Sequence, residues 1–470
     1  MDRSKGKKKY WRCENRRICN GRAISFATDG EIEVIITKEH THAPRYQDIS
    51  VQRMKTSLKR KAIEQLTAHP VALIREGLSD LGDFAVAALP KHQSLRRMIN
   101  RTRESLRPTD PRHIKDLHII PPFANTISGQ QFLLHDSEGS AMAEEGTRSR
   151  VIIFASEENI RYLFSSPTWY TDGTFQVVPT LFYQLFTVHG SVAGTVLPMV
   201  YALMQNKREE EYNYVLQKLK EKAREMGIPN WDTFPSNVMM DFEKAAINVF
   251  RSVFPNAEIG LCLFHFGKSL YCKIQEVGLQ RQYNEGDSKV RQWLLSVIGL
   301  AFVPPEDVIS VFELLLGELN EEKEDSLLPL EEIADYIDKT YIRGHPVRGR
   351  RRALPPTYAV EMWNMYQRTR DDIARTNNAV EGWHNKFNKM VNKKKVTMYS
   401  LLEEIRKEQH DTEAAILQIN SGHHNIKQIC SRKTILRSER IKGIVQRYEE
   451  FKENGQILQY LKSLGYNFEF

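Results

Sequence analysis

The spacing of apolar and polar positions changes character several times along this chain. Residues 10–44 are rich in β-forming side chains broken by Gly and Asn, which predicts short strands. Residues 50–66 and 71–105 carry apolar residues at helical spacing. The second stretch ends in a crowd of cations, Arg96, Arg97, Arg101, Arg103 and Arg107. Pro108, Pro111, Pro121 and Pro122 punctuate residues 108–130 and predict a connector into a new domain. Residues 136–149 have loop composition. From 150 onward a strand-like VIIFA and a helix-like SEENIRYLFSS precede three β-like runs, TWYTDGTFQVV, LFYQLFTVHG and TVLPMVYALM. A charged amphipathic helix is predicted over 206–227, a short strand over 236–240 and a helix over 242–254. Adjacent strands followed by helix, strand and helix predict a mixed α/β sheet. Residues 265–340 read as helical, and 343–357 as a basic, Pro-rich loop. Helices resume over 358–374, 378–393 and 397–420, and the tail from 431 reads as polar, helical and loosely packed. No internal repeat is present.

Composition narrows the class. A chain of 470 residues exceeds one ordinary core and predicts two to four folding units. Hydrophobic residues at 41% and charged residues at 27% exclude wholesale disorder. No apolar run approaches the roughly 18 residues that span a bilayer, so no membrane association is expected. The opening MDRSKGKKKYWRC lacks the apolar core of a secretory signal. Five cysteines are too few for a disulfide scaffold, which fits a reducing compartment such as the nucleus or cytosol. Residues 1–60 hold 15 Lys/Arg against 7 Asp/Glu, an excess of +8 that equals the net charge of the whole chain. A cationic excess gathered at one end is expected of a polyanion-binding module, although a solvated basic tail has the same composition.

Cys13, Cys19, His40 and His42 form a C-x5-C-x20-H-x-H pattern. Two thiolates and two imidazoles suit tetrahedral Zn²⁺, and a closed set of four is structural. So short a segment cannot build an independent core, so the metal would supply much of its folding free energy. The run YWRC at 10–13, Cys19 with Gly21-Arg22, and His40-Thr41-His42-Ala43-Pro44 resemble the C-terminal two-thirds of a FLYWCH-type zinc finger. That resemblance implies a β-rich DNA- or protein-binding finger. The Phe- and Leu-bearing strands that lead into YWRC in that family have no counterpart here. The expectation is therefore an incomplete finger or a gene model clipped at its start. The run 5–9 with Arg12, Arg16, Arg17 and Arg22 would supply phosphate contacts.

Three acids stand where chemistry is plausible. Asp172 lies inside a β run beside Tyr170 and Phe175, where burial of an unpaired carboxylate is costly. Asp241 follows a strand, and Glu381 lies near the start of the helix AVEGWHNKFNKMV. Converging carboxylates would hold Mg²⁺ or Mn²⁺ through oxygen and leave room for water and phosphate. Position alone also fits plainer roles: Asp241 as a helix cap, Asn378 and Glu381 as a cap with its acidic partner, and Asp172-Gly173 as a hairpin turn.

Four blocks, TDGTFQVVPTLFYQLFTVHG, MMDFEKAAINVFRSVFP, GLCLFHF and RTNNAVEGWHNKFN, resemble in order the catalytic domain of Mutator-like element (MULE) transposases. The resemblance spans roughly residues 150–420. It implies an RNase H-like mixed sheet with an all-helical insertion before the last acidic helix, and a DDE triad that cuts and joins DNA with divalent metal. Carried onto this chain, the triad is Asp172, Asp241 and Glu381. Cys262 and His265 match a C-x2-H element near the second acid, with a metal or target-DNA role. Cys272 or His384 would have to join them for a closed zinc site, and a packed helix start fits the same residues. Val380, Trp383, Phe387, Met390 and Val391 keep core spacing along the last helix. Arg348, Arg350, Arg351 and Arg352 form a second basic cluster, read as a DNA-phosphate contact or a solvated loop.

The expected architecture is thus α/β. A small β-rich zinc finger over 1–46 is followed by a helical linker and DNA-contact region over 47–125. The transposase domain covers 150–420, with its insertion at about 266–376, and a polar tail covers 421–470. Expected cofactors are structural Zn²⁺ and catalytic Mg²⁺ or Mn²⁺. Expected partners are DNA and a second copy of the chain, in the nucleus. The function expected is phosphodiester hydrolysis and strand transfer on DNA. The alternative is a domesticated, non-catalytic transcription regulator. No sequence feature points to a host nuclease of related fold.

Overall fold

The computed structural model describes all residues except 1–2, 6–7, 29–30, 44–45, 66–67, 80, 105–107, 139–148, 286–287, 322–327, 347–351, 392–395, 424–431 and 469–470. The chain divides into two compact units, Met1–Thr109 and Asp110–Phe470.

In the first unit β1 (Arg3–Lys5), β2 (Lys8–Arg12), β3 (Arg22–Thr28) and β4 (Glu31–Lys38) form an antiparallel sheet in chain order. Four helices follow: α1 (Tyr46–Glu64), α2 (Pro70–Ser79), α3 (Asp83–Ala87) and α4 (His92–Glu104). Met54, Leu58, Leu73, Ile74, Leu95 and Ile99 close a small core among them. The single helix expected over 71–105 is therefore three. Gly82 holds an extended backbone ahead of α3. Pro90 lacks the N–H that a continuing helix needs and biases Leu89 away from the helical region.

The second unit is built on a seven-stranded mixed sheet. Its strands are β5 (Leu133–Asp136), β6 (Val151–Phe154), β7 (Thr168–Thr174), β8 (Gln184–Val192), β9 (Thr195–Met204), β10 (Asn237–Met240) and β11 (Glu258–Leu261), in the order β11-β10-β7-β8-β9-β6-β5. Only β7, β10 and β11 run parallel to one another; the remaining neighbours are antiparallel. Side chains alternate faces along a strand, and both faces are apolar. Val151, Ile153, Val200, Ala202 and Met204 enter one core, while Ile152, Phe154, Tyr201 and Leu203 enter the other. This explains why these strands read as unbroken hydrophobic runs.

Helices cover both faces. The first core takes in side chains of α5 (Glu157–Ser165), α6 (Glu209–Glu225), α7 (Lys244–Val253) and α8 (Leu263–Glu276). The second takes in α9 (Asn378–Val391) and α10 (Met398–Asn420). The stretch expected to be a connector belongs to this unit. Leu117, Phe123 and Phe132 are buried in the second core, and the Tyr399 N–H donates to the Asp110 carboxylate at 3.2 Å. The described residues of 265–340 are mostly helical, as expected, but 358–374 forms two short helices rather than one. Asn364 stays extended between them; its amide donates to the Val303 carbonyl at 2.7 Å and its oxygen accepts from the Tyr366 N–H at 2.9 Å.

The C-terminal tail is not loosely packed. Ile441, Val445, Tyr448, Tyr460, Leu461 and Leu464 are buried in the first core, and the Tyr460 hydroxyl donates to the Phe302 carbonyl. Leu461→Ala removes a wholly buried side chain. It should destabilise this unit by about 2–5 kcal/mol in denaturant unfolding; a change near zero would show that the tail does not dock.

Candidate metal centres

Strand register sets the first two acids. In the parallel pair, Thr168 stands beside Asn237 and Tyr170 beside Met239. Continuing in step places Asp172 beside Asp241, one strand spacing of about 4.8 Å apart. Alternation puts Tyr170 with Asp172, and Met239 with Asp241, on one face. Tyr170 and Met239 bury against Cys262 and Val380, so this is the face that α9 covers. Asp172 is therefore a strand residue and not a hairpin turn; its Oδ1 accepts from the Gly173 N–H at 2.7 Å. Asp241 is not the cap of the next helix, since Glu243 holds that position. Glu381 sits in the first turn of α9.

Asn377, wholly buried just ahead of α9, joins these pieces. Its side-chain amide donates to the Thr171 carbonyl at 3.0 Å, next to Asp172. Its backbone N–H donates to Cys262 Sγ at 3.2 Å. The helix bearing the third acid is thus tied both to the strand of the first and to the turn after β11. The doubled asparagine before AVEG is the signal in the sequence for this clamp.

His265 projects from α8 toward the acids. Its Nδ1 lies 2.9 Å from Asp241 Oδ1 and 3.5 Å from Glu381 Oε1. All three atoms are buried, yet none has a hydrogen-bond partner of proper geometry among the described residues. Ligands at right angles about an ion 2.1 Å away lie about 3.0 Å apart, so the donor set fits a divalent cation. Cys262 Sγ stands with His265 and Glu381 in a group whose ligand atoms lie within 4.8 Å of one another. Glu381 is thus the described side chain whose ligand atom stands nearest in kind to a third partner for the C-x2-H pair. Cys272 is exposed, and His384 is engaged elsewhere.

Electrostatics couple the two acids to His265. Burial raises the Asp241 carboxyl above its ordinary range; His265 opposes this and the like charge of Asp172 adds to it. Glu381 is raised for the same reason, burial first, with His265 opposing and Asp241 and Asp172 adding. Burial works against the cationic form of His265, but Asp241 and Cys262 hold its pKa up to about 10. A cleft of about 60 Å³ lined by Asp172, Phe175, Asp241 and Glu243 opens beside the first two acids.

Asp172 is oriented by a buried relay. His384 Nδ1 lies 2.8 Å from Asp172 Oδ2, and its Nε2 lies 3.2 Å from Thr187 Oγ1. His189 Nε2 lies 3.0 Å from the same hydroxyl, and full burial pushes its pKa well below the usual value. Along α9, Val380, Trp383, Phe387 and Val391 are core as expected; Met390 is 41% exposed, because Val391 takes the inward position one step on.

The first unit carries the second centre. Cys13 Sγ lies 3.2 Å from His42 Nε2, Cys19 Sγ 3.5 Å from His40 Nδ1, and the two histidine nitrogens 3.4 Å apart. A tetrahedral zinc ion separates S from N by about 3.5 Å and N from N by about 3.3 Å. His42 Nδ1 lies 3.0 Å from the Ala43 carbonyl, which fixes the tautomer that leaves Nε2 free for metal. The Thr41 backbone N–H pulls the Cys19 thiol down to about 6, with burial opposing and the Gly21 N–H adding, so the thiolate is favoured. A Cβ at Gly21 would lie 2.9 Å from His40 Nδ1. Gly21→Ala should therefore displace that ring and weaken zinc binding about 10–100-fold in competition with a chromophoric chelator. Unchanged affinity would exclude His40 as a ligand.

Of the arginines expected to meet DNA, Arg16, Arg17, Arg22 and Arg352 are exposed, and Arg12 is half-buried with its Nε unpaired. Arg348, Arg350 and Arg351 lie outside the described residues.

Residues 168–269 match the family model of the MULE transposase domain. No curated protein matches the chain at a significant level. The match suggests a transposase-type function and implies DNA binding. The MULE segment carries Asp172, Asp241, Cys262 and His265, and Glu381 lies beyond it. No described helix is long and apolar enough to cross a membrane.

Proposed function

We propose that the second unit is an RNase H-like DDE transposase domain and that the first carries a FLYWCH-like zinc finger that brings it to DNA in the nucleus. The observation that carries this reading is the convergence of Asp241, Glu381 and His265 on a point that none of them satisfies by hydrogen bonding, with Asp172 one strand away. The mixed sheet also supports it, because acids from two adjacent parallel strands meet an acid on a helix that follows a helical insertion. Asp172, Asp241 and Glu381 would hold Mg²⁺ or Mn²⁺, and the ion would displace the proton from His265 if that ring joins as a nitrogen donor, which suits Mn²⁺ better. The bound ions supply activation of the attacking hydroxyl and stabilisation of the leaving oxygen at phosphorus. The chain itself sets the geometry. Asn377 holds α9 against β7, and His384 keeps one oxygen of Asp172 occupied so that the rest of the carboxylate faces the cleft. Zinc on Cys13, Cys19, His40 and His42 would fix the finger.

The test is cleavage of supercoiled plasmid by the full chain in Mn²⁺. Nicks bearing 3′-hydroxyl ends, stopped by a chelator and absent in Asp172→Asn, are expected. Equal background in parent and variant would leave a non-catalytic DNA-binding regulator as the function.

A further inference from the structure

The helices of the first unit contain an arrangement that neither metal centre uses. α3 and α4 are joined by the four residues 88–91, and α4 packs on α1 and α2 through Leu95 and Ile99. At about 100° per residue, Gln93, Arg97, Asn100 and Arg101 fall on the side of α4 opposite Leu95 and Ile99, and Arg96 flanks that side. All five are exposed. Arg103 lies off this face and is spent internally. Its guanidinium donates to the carbonyls of Ala62, Gln65 and Ala68 and so closes the C-terminal end of α1. The arginines that crowd this stretch of sequence thus divide by role, with Arg103 holding the fold and Arg96, Arg97 and Arg101 facing water.

A face that served solubility alone would need no more than charge. This one interleaves three guanidinium groups with Gln93 and Asn100, the side chains that pair in bidentate fashion with guanine and adenine edges in the major groove. The helix by which a helix-turn-helix protein reads the major groove is of this kind, and α4, at 13 residues and about 20 Å, is long enough to lie in that groove. We propose that α4 is a second DNA-reading element, inserted in the major groove of duplex DNA, with Arg97 and Asn100 at its centre contacting base edges. The proposal deepens the DNA-binding part of the reading above and is independent of the acid cluster.

The test reads binding alone. The full chain is mixed with duplexes carrying 20 random base pairs, and bound sequences are recovered. The parent should enrich a motif in which a block of three to four base pairs is lost, about tenfold or more in preference per position, in Arg97→Ala and Asn100→Ala. Arg97→Lys should lose the preference while keeping most of the affinity, since lysine keeps the charge but not the planar fork. Cys19→Ser should keep that block. The substituted positions are exposed, so thermal unfolding of each variant should match the parent. Three outcomes would overturn the proposal: the same motif in parent and variants, uniform weakening with preference unchanged, or no enriched motif. Strand cleavage is not read in this experiment, so its outcome and that of the transposase reading are separable.

Discussion

Asp172→Asn is expected to abolish metal-dependent strand cleavage, by about a thousand-fold or more, and to leave DNA binding intact. The size follows from the ion's share of transition-state stabilisation, several kcal/mol, at about 1.4 kcal/mol per factor of ten. The amide is nearly isosteric, so β7 keeps its pairing with β8 and β10. One oxygen of Asp172 already pairs with His384, and an amide oxygen can accept that bond. What is lost is the negative charge that a cation needs. Asp241→Asn and Glu381→Gln should behave alike, because each removes a buried negative charge beside His265. Their raised pKa values give the pH dependence. A carboxylate must be ionised to hold the ion, so activity should be lost as pH falls through a point above the ordinary carboxylate range. A chelator-sensitive nicking activity equal in parent and Asp172→Asn would place the chemistry elsewhere.

Removing zinc, or Cys19→Ser, should unfold the sheet of the first unit while its helices persist. The sheet has little apolar burial to hold it: Ile32, Val34, Ile35 and Ile36 of β4 are 71%, 58%, 46% and 57% exposed. Structural zinc in small fingers contributes an apparent 10–16 kcal/mol at neutral pH, far beyond what such a surface supplies. The helices have their own core in Leu58, Leu73, Leu95 and Ile99, each at most 1% exposed. Hydrogen exchange should therefore speed up in β2–β4 on chelation and stay slow in α1, α2 and α4. Exchange unchanged across the sheet would show that the four ligands do not hold a metal.

The central strands β6 to β10 were legible because two-faced burial makes them continuous apolar runs, and TVLPMVYALM was bounded at β9 to the residue, whereas the four-residue edge strands β5 and β11 were missed because each is too short to show a pattern. The three acids could be singled out because carboxylates beside such runs are hard to explain by packing. The neighbourhood of Asp172 and Asp241 was not legible, since it depends on the register of β7 against β10, and neither was the clamp that Asn377 makes between α9 and β7. The polarity of the tail misled because charged residues separate its apolar ones; Ile441, Val445, Tyr448, Tyr460, Leu461 and Leu464 turn inward, while Ile435, Leu436 and Tyr466 stay exposed. The C-x2-H pair was visible, but its third partner lies on α9, more than a hundred residues away along the chain.

Anomalous diffraction from crystals of the full chain grown with Mn²⁺ bears most directly on the acid cluster. The account predicts manganese within about 2.3 Å of oxygens from Asp172, Asp241 and Glu381, with a second ion about 3.5–4 Å away when substrate DNA is bound. Manganese bound at other side chains, with those oxygens left uncoordinated, would contradict it.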